Sequence, residues 1–290
     1  MKKIILGNEH RKLLYKPRQN NPMSVIVFVS GGGGNLQAAV DISQRYPTLL
    51  SIDLIVTDRL GIKAIAIAKS YHIAVLAYDF EKECGIWAKC KNNPTKAKKY
   101  ESCAVRFHNH ILQDIQELER KRGKKFNFVV LSYHRWIQGD LLSYFNLRMI
   151  NQHAGDLTVM NSTTHERKYR GINPVLMALS AGEKKTRTCT FIVTEGHDTG
   201  EILSIGPWVT YTGPFPVTTQ SAWEHELKQK RESDWPSLSF ALFEIAKGNF
   251  SLDVDKSHSD GCRIVYYKEK ALPYGGVDLE KILQGGQYDA

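Results

Sequence analysis

Cysteine is scarce. The five present, Cys84, Cys90, Cys103, Cys189 and Cys262, are odd in number, and no two stand in CxxC spacing. That excludes a disulfide framework and a zinc ribbon, and a reducing cytoplasm is the expected setting. Long apolar runs are missing as well. Val25 to Val29 is far too short to span a bilayer. The N-terminus begins like a signal peptide at Met1 to Leu6, but the apolar part stops at Gly7, so export is not expected. No Pro- or Ser-rich linker divides the chain, and no internal repeat is visible. Acidic residues are outnumbered, 30 against 39 basic ones, for a net charge of +9. That balance suits an anionic partner such as a phosphorylated metabolite or a polyglutamyl tail. Much of the excess lies in Lys89 to Lys99 and Arg120 to Lys125, neither of which alternates basic with aromatic residues, so nucleic acid is not the expected ligand.

What is present is an ordinary globular composition over 290 residues, 42% hydrophobic and 24% charged. Val25 to Val29 is a continuous β-branched run, as in a strand buried on both faces. A helical pattern follows from Leu36 to Gln44. Ile52 to Val56 is a second strand, Gly61 to Tyr71 a helix, and Ile73 to Leu76 a third strand. This alternation predicts an α/β fold, a Rossmann-like, mostly parallel twisted sheet with helices on both faces. Residues 81–100, Lys-rich and containing Asn92-Asn93-Pro94, read as an inserted loop, and Ala104 to Arg122 as a helix. Phe126 to Leu131 and Arg148 to Asn151 read as strands. Further on, Val175 to Ala181 is helical, Thr188 to Thr194 and Ile202 to Tyr211 are strands, and Trp223 to Arg231 and Leu238 to Lys247 form a helix pair broken at Trp235-Pro236. Arg263 to Tyr267 is a late strand. The expected organisation is a leader at 1–23, a catalytic domain at 24–250 and a C-terminal extension at 251–290.

Three segments carry chemistry. Ser30-Gly31-Gly32-Gly33-Gly34-Asn35 lies between a buried strand and a helix, where glycine backbone and helix N-terminus together favour a phosphate. Leu36 stands where the last glycine of a dinucleotide fingerprint would be, and no Gly-Lys-Ser/Thr is present. Asn151-Gln152-His153 follows a predicted strand, on the side where open α/β sheets hold ligands. Thr194 to Leu203 places Asp198 in a glycine-containing loop between two strands. Metal binding is not expected. His108 and His110 are two apart on a helix, and His225-Glu226 lacks the second histidine of a zincin. Trp208, Trp223 and Trp235 read as packing residues, and Glu232 as a surface residue.

Taken in order, these segments resemble the folate-dependent formyltransferases over roughly residues 24 to 250. Ser30 to Asn35 looks most like the phosphate loop of the glycinamide ribonucleotide branch. Tyr169 to Pro174 is similar to the Arg-Gly-x-x-Pro segment of the methionyl-tRNA and sugar branches. The resemblance implies transfer of a formyl group from 10-formyltetrahydrofolate to a primary amine of a small phosphorylated acceptor, by default glycinamide ribonucleotide in purine biosynthesis. The alternatives are an amino-sugar or other small-amine formyltransferase, or a non-catalytic folate- or ligand-binding paralogue. It implies catalytic roles for Asn151, His153 and Asp198. Asn151 and His153 as imidazolium would hydrogen-bond the tetrahedral oxyanion, and Asp198 would favour the charged ring and help relay the proton. It implies phosphate binding at Gly33, Gly34 and Asn35, and folate binding at Arg135, Trp136, Ile137 and Gln138 and at the loop before Asp198. The partners implied are the amine and the folate, with no membrane; a homodimer stays open.

The chain also departs from the family. After the histidine, Pro-Ser-Leu-Leu-Pro is replaced by Ala154-Gly155-Asp156-Leu157-Thr158. Asp156 would repel a phosphate unless a base offsets it. Arg187 stands where a small residue is usual, and Tyr133 to Trp136 is bulkier than the family's glycine-rich equivalent.

Overall fold

The computed structural model describes residues 10–285, so the signal-like start at Met1 to Leu6 lies outside the described residues. The first part of the chain forms β1 (Arg11–Leu13), β2 (Met23–Val29), α1 (Gly34–Arg45), β3 (Leu50–Thr57), α2 (Lys63–Ser70), β4 (Ala74–Ala77), α3 (Phe80–Cys84), α4 (Trp87–Cys90), α5 (Pro94–Arg122), β5 (Phe128–Ser132), α6 (Asp140–Tyr144) and β6 (Met149–His153). The second part forms α7 (Pro174–Ser180), β7 (Lys185–Thr186), β8 (Cys189–Ile192), β9 (Ile202–Ile205), β10 (Val209–Thr210), α8 (Thr219–Gln229), α9 (Trp235–Ala246), β11 (Phe250–Ser257), β12 (Arg263–Tyr267), β13 (Lys270–Ala271), β14 (Val277–Asp278) and α10 (Leu279–Leu283). No described helix is long and apolar enough to cross a membrane.

The chain divides into two compact bodies. One comprises Arg18–Gln152 with Ile192–Asp198. Its strands run parallel in the order β4–β3–β2–β5–β6, and the backbone N–H of Val193 donates to Met149 O beside β6 at 2.8 Å. Every residue of β2 is buried, as its continuous apolar run from Val25 to Val29 leads one to expect. Ile26 and Phe28 pack with Phe107, Ile111 and Ile115 of α5. Val25, Val27 and Val29 point the opposite way by the two-residue repeat of a strand and are equally buried, as are Leu36, Ala39 and Val40 of α1. Each of these Val, Leu, Ile and Phe side chains stabilises the fold by about 1.5–3 kcal/mol when fully buried.

The other body takes His153–Phe191 and the described residues up to Pro17 and from Thr199 onward. Here β8 pairs antiparallel with β9, and β9 pairs parallel with β14. A separate antiparallel sheet runs β1–β11–β12–β13. The α/β, mostly parallel class expected from the sequence is thus the one found, with antiparallel pairing confined to the first strand and the later ones.

Four local expectations need correction. Residues 81–100 are not a loop but carry α3, α4 and the start of α5. Asn92-Asn93-Pro94 is a helix start: the Asn93 side chain accepts from Lys96 N at 3.0 Å and Pro94 occupies the first turn, where its missing N–H costs nothing. The helix pair around Trp235-Pro236 is nearly continuous. Lys230–Asp234 winds as a π-helix between α8 and α9, with Trp235 N donating to Lys230 O, so the wider turn comes just ahead of Pro236. The strand predicted over Ile202 to Tyr211 is two, interrupted at Gly206, where a Cβ would lie 2.2 Å from Ser233 O. Trp223, expected to pack, is exposed on α8.

Candidate active site

In the first body, the C-terminal ends of parallel strands gather three of the segments singled out by sequence. Ser30 leaves β2 buried, and its Oγ accepts from His134 N at 2.9 Å, tying the glycine loop to the turn after β5. Gly33 is the N-cap of α1 with φ +83°, no side chain caps the helix, and its first turn holds no acidic residue. A Cβ at Gly33 would stand 2.9 Å from Ile67 Cδ1 and 3.2 Å from Ala64 Cα; the glycine is required by both its left-handed backbone and its neighbour. At Gly31 and Gly32 the same space is open. The N–H groups of Gly34, Asn35 and Leu36 are therefore first-turn donors without an intrahelical acceptor, at the positive end of the dipole.

Strand β6 brings its residues out in alternation. Asn151 and His153 share one face and Gln152 takes the other. Gln152 Oε1 accepts from Asn35 Nδ2 at 3.0 Å, which locks the glycine loop to β6. Four residues after the Val193–Met149 hydrogen bond comes His197, whose ring lies 4.0 Å from that of Trp136 at 33°. The loop that ends in Asp198 is thereby joined to the segment after β5. Asp198 itself has φ +53°, a left-handed conformation rare outside glycine and tolerated best by Asp and Asn.

The segment 135–138 is not uniform. Trp136 is exposed. Ile137 is part of the hydrophobic core. Arg135 faces away from solvent: its guanidinium donates to the buried Asp58 at 2.6 Å and to Glu81 at 3.0 Å, and lies 4.5 Å over the Phe80 ring. Its side chain braces β3 against α3, whereas Trp136 and the half-buried Gln138 present surface.

In the second body, the His153 ring is buried, and its Nε2 lies 2.6 Å from Tyr169 O. A carbonyl only accepts, so Nε2 carries the proton and the ring is fixed in orientation. Gly155 makes this approach possible. A Cβ there would lie 2.3 Å from Tyr169 O and 2.9 Å from His153 Nε2. Tyr169 is buried in turn, its hydroxyl donating to Glu183 at 2.9 Å. In the sequence Gly155 is only one residue of a changed loop. The partner of His153 is a backbone carbonyl 16 residues away, which no side-chain motif reveals.

The remaining departures also resolve here. Arg187 Nε donates to Asp156 at 2.7 Å and its Nη1 to Asp278 at 3.1 Å, and Thr158 N donates to the other oxygen of Asp156 at 2.9 Å. The base required beside Asp156 is therefore Arg187, whose guanidinium also lies 4.0 Å over Trp208. Glu232 is exposed and lies 3.8 Å from Lys228 on the same helix, a surface residue as expected. Among the described residues no His, Cys, Asp and Glu group suits a metal ion.

The family described as Formyl transferase matches residues 23–206. The chain belongs to the formyl transferase family. A phosphoribosylglycinamide formyltransferase of Bacillus subtilis is 27% identical over 179 residues, 61% of this chain and 75% of that one. A methionyl-tRNA formyltransferase of Heliobacterium modesticaldum is 34% identical over 104 residues, which span 34% of this chain but only 28% of the relative. Among solved structures, the phosphoribosylglycinamide formyltransferase of Coxiella burnetii superimposes with a TM-score of 0.60 over 89% of this chain and 99% of its own, at 20% identity; that likeness is one of fold. Ser30 to Asn35, Asn151, His153 and Asp198 all lie within the matched residues.

Proposed function

We propose that the chain transfers a formyl group from 10-formyltetrahydrofolate to the primary amine of a small phosphorylated acceptor, with glycinamide ribonucleotide as the default, in the manner of a purine-biosynthetic enzyme. The observation that carries this reading is the pairing of Asn35 with Gln152, which sets an open, anion-favouring helix N-terminus beside the strand that bears Asn151 and His153. The acceptor phosphate rests on the amides of Gly34 and Asn35, approached across the open side of Gly31 and Gly32. The donor's ring system lies against Trp136, with Ile137 and Gln138 shaping the backbone beneath it, and Arg135 holding that segment in place through Asp58 and Glu81.

The amine nitrogen attacks the formyl carbon and the carbonyl π pair moves to oxygen. Asn151 donates its side-chain amide to that oxyanion, an interaction of a kind worth on the order of 10²–10³ in rate. His153, as imidazolium, supplies a second donor from Nδ1, with its ring orientation set by Nε2 on Tyr169 O. On collapse the bond from carbon to the folate nitrogen breaks, and Asp198 assists passage of the amine proton to that leaving nitrogen. The folate is a consumed donor, so no resident cofactor or metal is required.

Wild-type protein incubated with 10-formyltetrahydrofolate and a panel of amines, with tetrahydrofolate release followed by absorbance, tests the proposal. Release that depends on a phosphorylated amine supports it. Release with water alone makes the protein a hydrolase, and tight folate binding without release makes it a binding protein; both outcomes contradict transfer.

A further inference from the structure

The C-terminal extension has no place in the chemistry above, yet it reaches directly to the residues that follow Asp198. The thiol of Cys262 donates to Thr199 O at 3.0 Å. Arg167 donates from Nη2 to Gly200 O at 2.9 Å and to Cys262 Sγ at 3.2 Å. Arg263 donates from Nε to the carboxylate of Glu201 at 2.6 Å. Three consecutive residues, Thr199, Gly200 and Glu201, are therefore each held by a side chain, two of them from the extension.

The holding groups are themselves fixed. Arg167, Cys262 and Glu201 are all buried. Tyr274 accepts from Arg167 Nε at 2.9 Å and donates to Asp260 at 2.7 Å; Asp260 also accepts from Cys262 N at 3.0 Å. Burial pushes the Cys262 thiol up to about 12, so it keeps the proton that it donates. Just beyond, Gly276 lets the chain pass so close to β9 that a Cβ would lie 2.5 Å from Ile202 O and from Leu203 O.

We infer that Cys262 and Arg167 are positioning residues for Asp198, and that the extension is the clamp that orients this carboxylate for the transfer reaction. The physical reason is local. Asp198 sits at φ +53°, a conformation that persists only where its surroundings over-determine it. Fixing the carbonyls of Thr199 and Gly200 fixes the 199–200 and 200–201 peptide planes, and this restricts the direction in which the chain leaves Asp198. Without the clamp the residue relaxes toward negative φ and its carboxylate swings. A misplacement of about 1 Å costs a catalytic group on the order of 10²-fold.

The inference rests on the proposed reaction, so the test has a readout that does not need turnover. Cys262→Ala removes the donor to Thr199; Cys262→Ser restores a hydroxyl donor. Amide hydrogen exchange over 196–201 is measured in both variants and in wild type, with the buried strand 23–29 as internal reference, alongside kcat and both KM values. The clamp predicts faster exchange at 196–201 in Cys262→Ala with the reference strand unchanged. It also predicts a fall in kcat of about 10- to 100-fold with little change in KM, and recovery of both in Cys262→Ser. Unchanged exchange overturns it, as does a wild-type kcat in Cys262→Ala or a loss that appears in KM alone. If wild type transfers no formyl group, the proposed function fails, and exchange at 196–201 decides the clamp by itself.

Discussion

Arg187 Nε lies 2.7 Å from a carboxylate oxygen of Asp156, and both side chains are nearly buried, at 10% and 7% exposure. The two departures from family pattern that are hardest to understand singly form one ion pair, with Asp278 as a second acceptor. Such pairs add little over a well-packed apolar substitute, but breaking one leaves a buried charge uncompensated, at about 3–5 kcal/mol. Arg187→Met is therefore expected to lower the free energy of unfolding by that amount, and Asp156→Asn with Arg187→Met together by clearly less than the sum. Urea titration of the four proteins in a double-mutant cycle checks this; additive losses would show that the pair is not coupled.

The glycine loop separates fold from ligand within three residues. Gly33→Ala meets Ile67 and Ala64 at positive φ and is expected to destabilise by about 1–3 kcal/mol. Gly32→Ala meets nothing within 4 Å, so stability should hold. If the acceptor phosphate rests here, Gly32→Ala raises the acceptor KM while the folate KM stays as in wild type. Equal effects on both substrates would remove the phosphate from this loop.

Gly155 carries a sharper steric demand. A methyl group there runs into the Tyr169 carbonyl at 2.3 Å, which must retreat from His153. Gly155→Ala should lower kcat and melting temperature together, and a crystal structure of the variant should show the His153–Tyr169 hydrogen bond lengthened. An unmoved carbonyl would contradict this account of ring orientation.

A buried histidine gives the fold an acid limit. His108 on α5 is fully buried, and burial lowers its pKa from 6.5 to about 4, although Asp58 and a hydrogen bond to the Ala104 backbone pull the other way. The unfolded chain then binds a proton that the folded one refuses, so stability is complete above about pH 6.5 and is lost as pH falls toward 4. The loss attributable to this group reaches about 3 kcal/mol. Urea midpoints of wild type should drop between pH 7 and pH 4.5 more steeply than those of His108→Phe; parallel slopes would assign the acid limit to other groups.

Much of this was legible in the sequence, and the residues show why the rest was not. Val25 to Val29 announces a strand buried on both faces because nothing polar interrupts it. Four glycines between that strand and Leu36 announce a helix N-terminus made for close approach. Asn92-Asn93-Pro94 is ambiguous by its nature, since Asn before Pro serves a turn and a helix cap equally well; only the Asn93 bond to Lys96 N decides it. Asn93→Ala should cost about 0.5–2 kcal/mol. Long-range partners left no local trace at all. Arg135 reads as a ligand-binding cation until Asp58, 77 positions away, is seen to hold it, and Arg187 reads as an intruder until Asp156 is placed beside it.

The central claim is that Asn151, His153 and Asp198 act on one formyl carbon. The most direct measurement is single-turnover formyl transfer to glycinamide ribonucleotide, detected as mass gain of the product, for wild type, His153→Ala and Asp198→Asn at matched folded fraction. The account predicts rapid formylation by wild type and a loss of several orders of magnitude in each variant. Near-normal formylation by either variant would contradict it.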